Sequence, residues 1–149
     1  MTLYLSGPMT GIPRLNFPLF DEVAGVLRRK GLTIANPADH DRAIYPDIES
    51  WPGFEAGDPA RCPAFDHERS MAWDLRMIFE DDGIAMLPGW ERSGGARTER
   101  LVAEEIGCPV WLVAYSTLEG YTLVRDTQRR LARPQLKENG DGKPQRFIG

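Results

Sequence analysis

Ser93, Gly94, Gly95 and Glu99 are the residues whose types and spacing best suit chemistry. They lie in the stretch Gly83–Gly107, GIAMLPGWERSGGARTERLVAEEIG. An apolar run, Ile84 to Leu87, reads as a buried parallel strand, and a turn-rich segment follows it. An amphipathic helix comes next, with Leu101, Val102 and Ile106 inward, Glu104 and Glu105 outward, and Gly107 as its stop. A strand, a Gly-rich turn and a helix N-terminus present free backbone N–H groups to an anion. Ser93 adds a hydroxyl at that turn, and Glu99 falls in or near the first helical turn, where the helix dipole favours the carboxylate. An ionised carboxylate beside an anion cradle is the arrangement of a nucleophile next to a phosphate site. The same residues also serve plain capping and loop chemistry, so the pattern alone leaves both readings open.

The elements around this stretch decide what could meet it. Thr2–Ser6 reads as a first strand running into Gly7-Pro8-Met9-Thr10-Gly11, a loop whose backbone can approach a ligand. Asn16-Phe17-Pro18 opens a helix with Phe17, Phe20, Ala24 and Leu27 on one face, closed by Arg28-Arg29-Lys30-Gly31. Leu32–Ala35 is a second strand ending at Asn36-Pro37. Ala38 to Ala64 shows no periodicity and reads as a long loop that could act as a lid, with Tyr45, Trp51 and Phe54 available to stack on a base or to pin the loop. Asp66–Asp82 is a helix with Met71, Leu75 and Ile78 inward and Asp74 at the edge of that stripe, an ordinary place for a solvated salt-bridge partner. Pro109–Ala114 is a further strand, Thr117–Arg133 a final helix, and 134–149 a flexible polar tail. Strands alternating with helices predict one α/β domain over residues 1–133: a doubly wound, mainly parallel sheet of flavodoxin or Rossmann type with helices on both faces. Ligands bind such sheets at the carboxyl ends of the strands, so Gly7–Gly11, the long loop and Ser93–Glu99 should converge on one pocket.

Composition narrows the partners. The net charge of −4 argues against a nucleic-acid polymer, and no stretch approaches a membrane span. Cys62 and Cys108 form no framework, which with the absence of a leader pattern suggests reduced thiols and a cytoplasmic setting. His67 has no second ligand at metal spacing, so no metal and no cofactor are expected. Ser93, Gly94 and Gly95 form an anion nest with the Gly7–Gly11 amides opposite, suggesting a 5′-phosphate; Arg92 and Arg97 flank it.

YLSGPMTG, NFPLF, NPAD and DDGIAMLPGWERSGGARTE together resemble a phage-associated family related to nucleoside 2-deoxyribosyltransferases. The wider superfamily includes 2′-deoxynucleoside 5′-monophosphate N-hydrolases and CMP N-glycosidases. The resemblance spans about residues 3 to 114. It implies cleavage or transfer at an N-glycosidic bond of a small-molecule (deoxy)nucleotide, with Glu99 as nucleophile and Asp74 as the assisting acid, their carboxyls roughly 5–6 Å apart if the reaction retains configuration. In this reading burial raises Asp74 while helix amides keep Glu99 ionised. It further implies phosphate and sugar contacts from Ser6, Gly7, Met9, Thr10, Gly11, Ser93, Gly94 and Gly95. Asn36, Tyr45 and Trp51 are the candidates for base or lid contacts. The superfamily's habit of assembling as dimers or larger oligomers extends to this chain as an expectation, with Trp111 and Tyr115 near a sheet edge. A nucleotide-binding module of the same fold, without turnover, is the alternative.

Overall fold

The computed structural model describes residues 1–128. Its centre is made of short apolar runs with side chains buried on both faces, the condition for a parallel strand inside a sheet. Thr2–Ser6 (β1) and Gly83–Met86 (β3) are such runs: Leu3, Leu5, Ile84 and Ala85 are fully buried. They lie side by side, flanked by Thr33–Ala35 (β2) and Val110–Ser116 (β4), with Gly120–Asp126 (β5) outermost. The order is β2-β1-β3-β4-β5. The first four strands are parallel and β5 is antiparallel to β4. The fold is therefore α/β with a five-stranded, mostly parallel sheet, consistent with a Rossmann-like arrangement.

Strand side chains alternate between two sides. Leu3, Leu5, Ala85 and Leu87 join one core with Phe17, Phe20, Val23 and Leu27 of Phe17–Arg29 (α1). Tyr4, Ile84 and Met86 join a second with Ile78 of His67–Glu80 (α3) and Ala96 and Ala103 of Gly94–Ile106 (α4). Ser6 pairs with Met86 and Met86 with Leu112, so β1 and β3 end level. The loops that follow them start at one edge of the sheet.

Three expectations need correction. The described part of 117–133, residues 117–128, holds no helix: Gly120–Asp126 is β5, joined to β4 by a turn with Gly120 at φ +70. It pairs along β4, with Tyr121 and Leu123 half-buried against the core, so Trp111 and Tyr115 sit on an interior strand and not at a sheet edge. The remainder of that segment, and the tail at 134–149, lie outside the described residues.

Second, Ala38–Ala64 is not one irregular loop. Asn36 Oδ1 accepts from Ala38 N at 3.0 Å and caps a helix over Pro37–Ile44 (α2). Beyond it the chain is packed down, with Ile48 and Phe54 fully buried and the Phe54 ring edge-on to Phe17, centroids 5.2 Å apart. Gly57 O accepts from Gly11 N at 2.8 Å, and Glu55 O from Arg14 N at 3.2 Å. A Cβ on Gly57 would lie 2.0 Å from Ile12 O, so only glycine permits this docking. The segment buttresses the first loop, with Phe54 buried against Phe17 of α1 and Tyr45 packed on Trp51 and Phe65.

Third, Asn16 holds the N-cap position of α1, as its place before Phe17-Pro18 predicts, but its side chain makes no capping hydrogen bond. Arg14, Leu15 and Asn16 all adopt positive φ, between 51 and 58, and the Asn16 amide donates to Pro8 O at 2.8 Å. It ties the glycine loop to the start of α1. Among the described residues no helix is long and apolar enough to cross a membrane.

Candidate active site

The loops after β1 and β3 and the first turns of α3 enclose a cleft of about 330 Å³. Gly7, Met9 and Thr10 form one wall, and Arg92, Ser93, Gly94 and Gly95 form the wall opposite. His67, Ser70, Met71 and Asp74 of α3 close the third side, and Glu99 of α4 stands at the back. Gly7 is where β1 must pass Leu87, since a Cβ there would lie 2.7 Å from Leu87 Cβ.

Ser93 caps α4, its Oγ accepting from Ala96 N at 3.2 Å. A Cβ on Gly94 or Gly95 would meet nothing within 4 Å. The protein's own packing does not demand glycine there, and the absence of side chains leaves the N-terminus of α4 open for a ligand to reach its amides. Arg92 extends from the turn Trp90–Arg92 into this wall, whereas Arg97 turns away and donates to Glu91 O at 3.3 Å.

Glu99 is the sixth residue of α4, beyond its first turn, and only 6% exposed. The inward face of α4 is Ala96, Glu99, Arg100 and Ala103, while Ile106 is 45% exposed. Small alanines let the helix approach the sheet, which carries Glu99 down onto Tyr4. The Tyr4 hydroxyl donates to Glu99 Oε2 at 2.5 Å. Asp74 of α3 lines the same cleft, close enough to that hydroxyl for the phenol to hold its carboxyl down. Ser6, 1% exposed, lies beneath them; its hydroxyl favours charge on Glu99 but has no well-formed hydrogen bond among the described residues.

Burial dominates the electrostatics. It pushes Asp74 up to about 7, as expected from the sequence, against a smaller downward pull from Tyr4. It also pushes Glu99 up, to about 8, with the neighbouring Asp74 adding to the rise and Tyr4 and Ser6 opposing it. Glu99 is thus not held ionised by helix amides: it lies past them, and desolvation wins. Tyr4 rises well above its usual value through burial and the adjacent Glu99 and Asp74, so it remains a donor.

Of the residues singled out in the sequence, Gly7, Met9, Thr10, Ser93, Gly94, Gly95, Asp74 and Glu99 come together at the cleft. Gly11 does not line it; its N–H holds the buttress segment. Asn36 is 3% exposed, its oxygen capping α2 and its amide on Asp21 Oδ1 at 3.2 Å. The Tyr45 hydroxyl accepts from Asp66 N at 2.9 Å and its ring meets Trp51 and Phe65, so these aromatics hold the segment together outside the cleft lining.

Tyr4 and Ser70 carry no site signal at the level of motif or spacing, and His67 is an exposed residue that borders the cleft. A tyrosine in the middle of a buried strand was the available signal, since its hydroxyl must find a partner. Among the described residues no group of three or more histidine, cysteine or acidic side chains could hold a metal ion. A comparison with curated proteins finds no match. A family model described as a domain of unknown function, DUF4406, matches residues 1–112, and the chain belongs to that family.

Proposed function

We propose that the cleft cleaves, or transfers at, the N-glycosidic bond of a (deoxy)nucleoside 5′-monophosphate on a doubly wound, flavodoxin-like frame. The observation that carries the reading is the pair of carboxyls, buried Glu99 on the Tyr4 hydroxyl and half-buried Asp74 beside it, facing one cleft a few residues from the open N-terminus of α4. Two interacting carboxyls with raised affinity for protons ionise one at a time, giving one nucleophile and one acid in the neutral range. Tyr4 and Ser6 oppose the rise at Glu99, but with Glu99 at about 8 and Asp74 at about 7 the shared proton rests mainly on Glu99, so the reactive form, Glu99 ionised and Asp74 protonated, is the minor one of the two.

Glu99 attacks C1′ through an oxocarbenium-like transition state while the C1′–N bond breaks. The bonding pair leaves with the base, which takes a proton from Asp74. Water then attacks C1′, gives its proton to Asp74 and frees Glu99; a second base in place of water makes the reaction a transfer. The phosphate lies on the Gly94 and Gly95 amides with Arg92 beside it. Remote binding there fixes C1′ against Glu99.

The test incubates wild type and Glu99→Gln with a panel of ribo- and deoxyribonucleosides and their 5′-monophosphates and quantifies free base. Release by wild type, lowered at least 10³-fold by the substitution, is the expected result. Release that survives Glu99→Gln would remove Glu99 from the mechanism. The alternative, a binding module, is favoured by the raised affinity of Glu99 for its proton, since a neutral Glu99 tolerates an anionic ligand without attacking it. Thermal stabilisation by one monophosphate with no release from any would select it.

A further inference from the structure

Resting on the reading of the cleft as a nucleotide site, we propose that Ser70 is a specificity-determining residue of that site, its hydroxyl donating to the 5′-phosphate from the α3 wall. Ser70 lines the cleft, and the mechanism above gives it no task. Its Oγ is shielded from solvent and has no hydrogen-bond partner among the described residues. A helical serine ordinarily settles its hydroxyl on the carbonyl four residues back. Asp66 O stands there and accepts the Ser70 N–H at 3.1 Å, yet the hydroxyl makes no bond to it. An unsatisfied buried hydroxyl destabilises the empty protein, and an acceptor brought in by a ligand removes that cost. No bond holds the hydroxyl in its rotamer, so a turn about χ1 presents it to the cleft without breaking one.

The register of two helices says which part of the ligand it meets. α3 leads into β3 and α4 leaves it, so both start at the carboxyl edge of the sheet and descend side by side. Asp74 and Glu99 line the one cleft at the depth of the Tyr4 hydroxyl. Four residues back on each helix, about 6 Å nearer the mouth, stand Ser70 and Gly95. Both of these line the cleft as well. A nucleotide with C1′ at Glu99 and its phosphate on the Gly94 and Gly95 amides therefore brings the phosphate, not the base, to the level of Ser70.

The other groups at that level suit an anion. Arg92 lines the cleft, and its guanidinium makes no ion pair or hydrogen bond among the described residues. Gly94 and Gly95 carry no side chain over their amides. The two carboxyls lie a turn deeper. Ser70 thus adds a neutral donor on the α3 side of an anion held by amides and a cation on the α4 side.

The test is calorimetric titration of Glu99→Gln, which holds turnover off, and of Glu99→Gln/Ser70→Ala, each with the ribo- and deoxyribonucleosides and their 5′-monophosphates. At least one monophosphate is expected to bind more tightly than its nucleoside, and Ser70→Ala to shrink that preference about tenfold while nucleoside affinity holds. Urea unfolding of ligand-free Ser70→Ala should show a midpoint no lower than wild type, since the substitution removes an orphan hydroxyl and favours the helix. A preference that survives Ser70→Ala, an equal loss for nucleoside and monophosphate, or a lowered urea midpoint overturns the proposal. Base release by wild type with the preference intact in the Ser70 variant removes Ser70 alone. A Ser70-dependent preference with no base released by wild type keeps Ser70 and sinks the glycosidase. Failure of every panel member to bind ends both.

Discussion

At the scale of single residues, Tyr4 does the most with the least. It is one of the largest fully buried side chains, and its hydroxyl is the only donor in a described hydrogen bond to Glu99 Oε2. Removing that donor leaves the Glu99 carboxyl buried with weaker support for its charge, and hydrogen bonds to charged groups are the costly ones to lose. Tyr4→Phe should keep the fold, because the ring and its edge contact with Trp73 remain. It should lower kcat by roughly 10²-fold, in proportion to a lost charge-assisted hydrogen bond. The sign of the pH effect is fixed as well. Tyr4 holds Glu99 down, so the variant ionises Glu99 at higher pH and the acid limb of the kcat profile moves up. A pH–rate profile of wild type should be bell-shaped around pH 7–8, from the values of about 7 and about 8 at Asp74 and Glu99. Below it both carboxyls are protonated and there is no nucleophile; above it both are ionised and there is no acid. A Tyr4→Phe profile superimposable on wild type would refute the role given to the phenol.

At the scale of elements, α4 carries two jobs on one face. Glu99 serves the cleft, and the next residue, Arg100, locks the helix to the sheet. Arg100 is fully buried, bonded to Glu104 at 3.0 Å and to Asp126 at the end of β5 at 2.8 Å, with its guanidinium 4.5 Å from the Trp90 ring centroid. Arg100→Ala removes the buried guanidinium shared by Glu104 and Asp126, and breaking such a buried ion pair costs about 3–5 kcal/mol. Urea unfolding should show that loss; a change under about 1 kcal/mol would mean the network is mere decoration. This face also explains what the sequence could and could not disclose. Apolar runs and helical spacing made β1, α1, β2, α3, β3, α4 and β4 legible, and with them the convergence of two loops and Glu99. The inward face of α4 was not legible, because charged residues are ordinarily assigned to solvent and Arg100 finds its partner 26 residues away. The same holds for β5, whose Leu123 and Val124 fit a helix as well as a strand until β4 is known to need an antiparallel cover. α2 hid behind prolines and an Asn36 read as a ligand contact, when that side chain is its cap.

At the scale of the whole molecule, the site draws on the stability of the fold. Asp41, Asp74 and Glu99 are held near 7, 7 and 8, whereas unfolded carboxyls ionise near 4. The folded chain therefore binds more protons than the unfolded one between those limits. The contribution of such raised groups is fully present below the unfolded values and is lost as pH rises through the folded ones. Stability should accordingly fall between pH 5.5 and pH 8.5, by an amount of order a few kcal/mol. Urea midpoints across that range, with the denaturant slope unchanged, measure it. Glu99→Gln and Asp41→Asn should each flatten the decline, since an amide has no proton to lose, and a 5′-monophosphate bound on the α4 amides should raise the whole curve by mass action. A wild-type stability that climbs from pH 5.5 to pH 8.5 would show that these carboxyls are ionised in the folded protein at little cost. The cleft would then lack the shared proton on which its proposed chemistry depends.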